Sequence, residues 1–100
     1  MTAAAQVTPR DSGVLAVSGA LTFDTVPDVY PGSVEWIAQA GSAITVDLVE
    51  VQKADSAGLA LLLEWLHRAR AAGRELRFVN VPEQVRSLVQ VSGLNRALDI

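Results

Sequence analysis

The chain has 100 residues, half of them hydrophobic and fewer than a fifth charged, with a net charge of −3 and no cysteine. That length suits one domain, and the composition is that of a folded globule rather than a disordered polar chain. Without cysteine there is no disulfide framework or thiolate metal site, and no stretch reaches the roughly 18 apolar residues of a membrane span.

Residues 1–6 lack the basic-then-apolar pattern of a leader peptide. The chain is therefore expected in the cytoplasm, reaching a membrane only through a partner. Up to Gln52 it holds one base against six acids, and from Lys53 onward seven bases against five acids. Those bases are scattered over two helices and a strand, which with the net negative charge argues against nucleic acid.

In chain order, Gln6 to Pro9 reads as an edge strand, the only sheet position that suits Pro9. The turn Arg10-Asp11-Ser12-Gly13 then returns the chain into the apolar run Val14-Leu15-Ala16-Val17. Beyond Gly19 and Leu21-Thr22-Phe23-Asp24, the Thr25 hydroxyl is placed to cap a helix with Pro27 in its first turn. This helix is expected to reach about Gln39, kinked or interrupted at Pro31-Gly32. Ala43 to Leu48 reads as a strand buried on both faces, Asp47 excepted.

A helical pattern runs from Ser56 to Ala72 and stops at Gly73, with Arg68 and Arg70 near its negative dipole end. Leu76 to Val81 alternates like a strand, Pro82 opens a helix with a Val85, Leu88, Val89 face, and Gly93-Leu94 closes it as a Schellman motif. Strand, helix, strand in the middle implies parallel strands with a right-handed crossover, and the N-terminal hairpin makes the sheet mixed.

Catalytic equipment is sparse. One His and no Cys leave no metal-ligand set, and no glycine-rich phosphate loop is present. Ser56, His67 and Asp55 supply the residue types of a hydrolytic triad, but His67 follows Ser56 by eleven residues on one helix, about 16 Å along its axis. A nucleophile and its base must lie within hydrogen-bond reach. The expected function is therefore binding, with no cofactor and no enzymatic activity.

The binding residues gather around Asp55-Ser56-Ala57-Gly58-Leu59. Ser56 is a favoured N-cap, Asp55 belongs to the same turn, and Gly58 permits close packing. Backbone donors and the positive dipole end would also tolerate a phosphate on the Ser56 hydroxyl. On the following helix Leu59, Leu62, Leu63, Leu66 and Ala69 form a stripe toward the sheet. Leu61 and Trp65 fall off that stripe, beside Ala57 and Arg68. Two readings fit them: packing under a neighbouring helix, or an exposed patch for a protein partner. Their position near Ser56 favours the partner.

The strand, the Asp-Ser-x-Gly-Leu turn, the leucine-rich helix and Val91-Ser92-Gly93-Leu94 together resemble the STAS domain family, shared by anti-sigma factor antagonists and sulfate transporter tails, over roughly Val14 to Leu98. The resemblance implies a single α/β domain spanning 1–100, residues 1–6 being a flexible tail, with a mixed sheet of four to five strands and three to four helices. It also implies that Ser56, directly after the motif Asp, is the phosphorylatable residue.

Gly58-Leu59-Ala60-Leu61-Leu62-Leu63 is similar to the helix start of the small cytoplasmic STAS subunit of the Mla-type phospholipid ABC transporter. That similarity implies a non-catalytic subunit that binds and supports a transporter ATPase, serving phospholipid transport and outer-membrane lipid asymmetry. Anti-sigma antagonists usually carry Gly-Glu-Leu-Asp where this chain has Gly19-Ala20-Leu21-Thr22, with only Asp24 nearby, and tend to have a second Ser at Ala57. Both differences weigh against an antagonist switched by phosphorylation of Ser56, the alternative reading. The partner face implied is Asp24, Asp55, Ser56, Ala57, Gly58, Leu61, Trp65 and Arg68, with self-association through Leu61 and Trp65 as a second use of it.

Overall fold

The computed structural model describes residues 4–100. Its elements are β1 (Gln6–Arg10), β2 (Val14–Leu21), α1 (Val26–Gln39), β3 (Ala43–Ala54), α2 (Ser56–Ala71), β4 (Glu75–Val79), α3 (Glu83–Val91) and α4 (Asn95–Leu98). The sheet order is β1-β2-β3-β4, with β1 antiparallel to β2 and the other neighbours parallel. Both crossovers step the same way across the sheet, so right-handed connections set α1 and α2 side by side on one face. Alternation along the strands agrees: Leu15, Val17, Ile44, Val46 and Phe78 are buried, while Val14, Ala16, Thr45 and Asp47 are half-buried.

The β3 strand runs six residues past the expected end at Leu48. Opposite β2 it has two register shifts, Ala16↔Asp47 giving way to Ser18↔Glu50, and Gly19↔Val51 to Ala20↔Lys53. Each shift places one extra residue in β3, so burial changes from every second residue (Ile44, Val46, Leu48) to every third (Val51, Ala54). Val49 to Ala54 thus loses the two-residue alternation by which a strand is recognised. Because β4 pairs only as far as Asp47, the far end of β3 is closed by a side chain. The Gln84 amide accepts from Ala54 N at 2.9 Å and donates to Ala54 O at 3.1 Å.

Three local expectations are corrected. Pro31 does not interrupt α1, which is helical from Val26 to Gln39; a proline forfeits one ladder bond there, and packing against α2 holds the rest. Thr25 makes no side-chain cap to that helix, because its hydroxyl donates to Ala20 O at 2.6 Å and accepts from Thr22 N at 2.9 Å. Within the expected tail, residues 1–3 lie outside the described residues, Ala5 packs against the core and Gln6 already belongs to β1.

The helix ends read as glycine stops are such stops. Arg74 N bonds Ala69 O at 2.9 Å past Gly73, and Leu94 N bonds Val89 O at 3.0 Å past Gly93, the six-to-one bond of a Schellman motif. Arg74 in turn donates to the carbonyls of Ala38, Ala40 and Gly41, placing its charge at the negative end of α1.

Candidate protein-binding site

The turn after β3 is organised by a carboxylate. Asp55, not Ser56, is the N-cap of α2: Oδ1 accepts from Ala57 N at 2.8 Å and Gly58 N at 3.3 Å. Its other oxygen, Oδ2, accepts from Phe23 N at 3.1 Å, and Asp55 N donates to Leu21 O at 3.1 Å. One residue therefore joins the loop after β2 to the start of α2, both at the carboxyl ends of parallel strands, where α/β sheets commonly bind ligands. Gly58 permits this closeness, since a Cβ there would stand 2.4 Å from Leu21 O and 2.8 Å from Leu21 Cβ.

Ser56 occupies the first helical position and is exposed. The backbone donors expected to welcome a phosphate are largely taken, however, because Asp55 fills those of Ala57 and Gly58 and its carbonyl accepts from Leu59 N at 3.0 Å. A phosphate on Ser56 would find the donors of Ala57, Gly58 and Leu59 already engaged.

Leu61 and Trp65 are not exposed. They keep 2% and 0% of their surface accessible, so neither forms an outer docking face and self-association through them is unavailable. The reason is α1: α2 buries one stripe against the sheet and a second, containing Leu61 and Trp65, against its neighbouring helix. The Trp65 indole donates to Ser33 Oγ at 2.8 Å inside that contact, and Ser33 Oγ donates to Tyr30 O at 2.9 Å.

At the outer edge of the same contact, Tyr30 Oη donates to Glu64 Oε2 at 2.7 Å, and Arg68 reaches Glu64 Oε2 at 3.2 Å and Tyr30 Oη at 3.2 Å. Hydrogen bonds from Tyr30 and then Arg68 hold the Glu64 carboxyl below its ordinary range, and the Glu64 hydrogen bond raises Arg68 in return. Arg68 is thus committed to bracing α1 against α2.

What the surface offers instead is a shallow groove of ≈ 420 Å³ between the starts of α1 and α2. Phe23, Val26 and Tyr30 line it from the α1 side, Ala57, Ala60 and Glu64 from α2, and Leu61 contributes from below. Phe23 is 69% exposed, held at the rim by the Asp55 bond to its N–H. Of the residues named from sequence, Ala57 and Leu61 line the groove, Asp55 touches its rim through the bond to Phe23 N, and Ser56 and Asp24 are exposed without lining it.

A family model described as "Mlab, STAS domain" matches residues 4–99. The chain belongs to the STAS domain family. Among solved structures this STAS domain is similar to an anti-sigma factor antagonist from Mycobacterium paratuberculosis, at 23% identity and a TM-score of 0.76 over 94% of this chain and 80% of that one. The anti-sigma factor antagonist SpoIIAA in its unphosphorylated form is also similar, at 23% identity and a TM-score of 0.73 over 93% of this chain and 84% of that one. SLC26A9 matches at 14% identity and a TM-score of 0.63, over 100% of this chain and 21% of that protein. No curated relative matches. At these identities the solved structures establish the fold.

Phe23 and Tyr30 are the site residues that sequence reasoning passed over. An apolar residue in the loop before a helix usually packs back on the first turns as a staple, so Phe23 carries no sequence mark of being exposed. Tyr30 lies on an acidic helix whose partner, α2, is identified only by the fold. Among the described residues no helix is long and apolar enough to cross a membrane.

Proposed function

We propose that this STAS domain is a non-catalytic cytoplasmic subunit that binds the ATPase of a bacterial Mla-type ABC transporter, supporting phospholipid transport and outer-membrane lipid asymmetry. The family description supports that branch of the family, and the observation that carries a binding role is Phe23, an aromatic side chain left 69% exposed beside an apolar groove. Large exposed aromatics on a rigid rim are favoured interface anchors. The docking face is Phe23, Asp24, Ser56, Ala57 and the groove between α1 and α2, with Asp55, Gly58, Leu61, Trp65 and Arg68 holding it in shape. The domain lies at the inner membrane through this partner.

The test is co-expression with the ATPase and permease of an Mla-type transporter from the same organism. The tagged chain should co-purify with the ATPase, and deletion of its gene should lower ATP hydrolysis by the complex and place phospholipid in the outer leaflet. A chain that never co-purifies with the ATPase contradicts the proposal.

The second reading, an anti-sigma factor antagonist switched at Ser56, draws on the exposure of that side chain at the start of α2. It requires one phosphate added by a cognate kinase and ATP, seen by mass spectrometry and lost in Ser56→Ala. Absence of that addition with every kinase encoded nearby sinks it.

A further inference from the structure

A separate pocket of ≈ 570 Å³ lies at the other end of α2 from the Asp55 turn, where β3 and β4 begin. Three of its lining residues are arginines: Arg70 near the end of α2, Arg74 in the turn after Gly73, and Arg77 on β4. One is an acid, Glu75. Arg77 lies level with Thr45, and Leu76 level with Ile44 on the opposite, helix-covered face. Since both strands start here, residues of both faces border one space. In a chain of net charge −3, the pocket is a local excess of positive charge.

Helix ends account for one of these arginines. Arg74 donates to Ala38, Ala40 and Gly41 at the carbonyl end of α1, which fixes its position. Arg70 stands near the negative dipole end of α2 but donates to none of its carbonyls, and Arg77 is on a strand. Among the described residues the side-chain hydrogen bonds from arginine are those of Arg68 and Arg74, and the one ion pair is Arg68 with Glu64. Arg70 and Arg77 are therefore uncommitted.

Guanidiniums bind oxyanions through paired N–H donors, and two free ones suit a doubly charged phosphate better than a single carboxylate. The volume is in the range of small-molecule sites, larger than a bare ion needs, and Ile44 and Leu76 give the wall apolar surface. We infer that this pocket binds the phosphate of a small phosphomonoester between Arg70 and Arg77, with Arg74 adding a fixed positive charge. A free metabolite and a lipid headgroup present the same dianion. The site shares no lining residue with the Phe23 groove and does not rest on the transporter reading.

The test titrates the full chain, labelled with nitrogen-15, with glycerol 3-phosphate and with glycerol as the uncharged control. Glycerol 3-phosphate alone should shift the amide signals of Thr45, Glu75, Leu76 and Arg77, more weakly as salt rises. The double variant Arg70→Gln, Arg77→Gln should raise its Kd about tenfold or more. Arg86→Gln, Arg96→Gln makes the same charge change outside the pocket and should leave the Kd within about twofold. All four arginines are exposed, so both variants should fold. Flotation with phosphatidylcholine vesicles containing phosphatidic acid assigns the source. Co-flotation abolished by Arg70→Gln, Arg77→Gln marks a lipid headgroup, and localised shifts without flotation mark a soluble phosphomonoester. Absence of both localised shifts and flotation, or equal weakening by the two double variants, overturns the inference.

Discussion

The Asp55 carboxylate accepts a hydrogen bond from the backbone of Phe23, 32 residues earlier in the chain, at 3.1 Å. Through that contact the family's turn residue determines where an exposed aromatic side chain stands. Asp55→Ala should lose this tether along with the two cap bonds at Ala57 and Gly58. Urea denaturation should report a loss of about 1–2 kcal/mol, and ATPase association should weaken as the Phe23 loop is released. Asp55→Asn should retain part of both, since an amide oxygen still caps a helix.

A methyl group at position 58 tests the packing of the same turn. Gly58→Ala improves helix propensity by about 1 kcal/mol, but the new Cβ would lie 2.4 Å from a backbone oxygen that belongs to β2. Overpacking of this kind costs about 1–3 kcal/mol, so the steric term should win and the thermal midpoint should fall. A rise in the midpoint would show that α2 can move off Leu21 without loss.

Trp65 bears on stability rather than on the surface. Ser33→Ala leaves the buried indole N–H without its acceptor and should cost about 1–3 kcal/mol. Trp65→Glu should unfold the domain, because it replaces a fully buried ring with a charge, and its loss of binding would say nothing about an interface. A folded Trp65→Glu variant with a native circular dichroism spectrum would contradict the burial described here.

Protonation of Glu64 should loosen the two helices. Its carboxyl is held below the ordinary range by Tyr30 and Arg68, so its contribution is present above the unfolded value and is lost as pH falls through the folded one. Wild type should therefore exceed Glu64→Gln in stability at neutral pH, with the gap closing in acid. A gap that widens as pH falls would contradict the assignment.

The legible parts of the chain were those where one residue type does one local job. Gly73 and Gly93 stop helices through positive φ, Pro9 sits on an edge strand, and Asp55-Ser56-x-Gly58 announces a strand-to-helix turn. What could not be read depends on a second element. Leu61 and Trp65 fall off the sheet-facing stripe whether solvent or α1 covers them, and only the placement of α1 decides. The last six residues of β3 follow a three-residue burial rhythm set by bulges opposite β2. The exposure of Phe23 arises from a hydrogen bond to a carboxylate remote in sequence.

Binding of the partner through the Phe23 rim of the α1–α2 groove is the proposed mode of recognition. The most direct measurement compares ATPase co-purification of wild type, Phe23→Asp and Val91→Asp, the last replacing an 88% exposed valine on α3. All three chains should fold alike, since both side chains are already in solvent. Loss of the ATPase in Phe23→Asp with retention in Val91→Asp is the predicted result, and full retention in Phe23→Asp would contradict it.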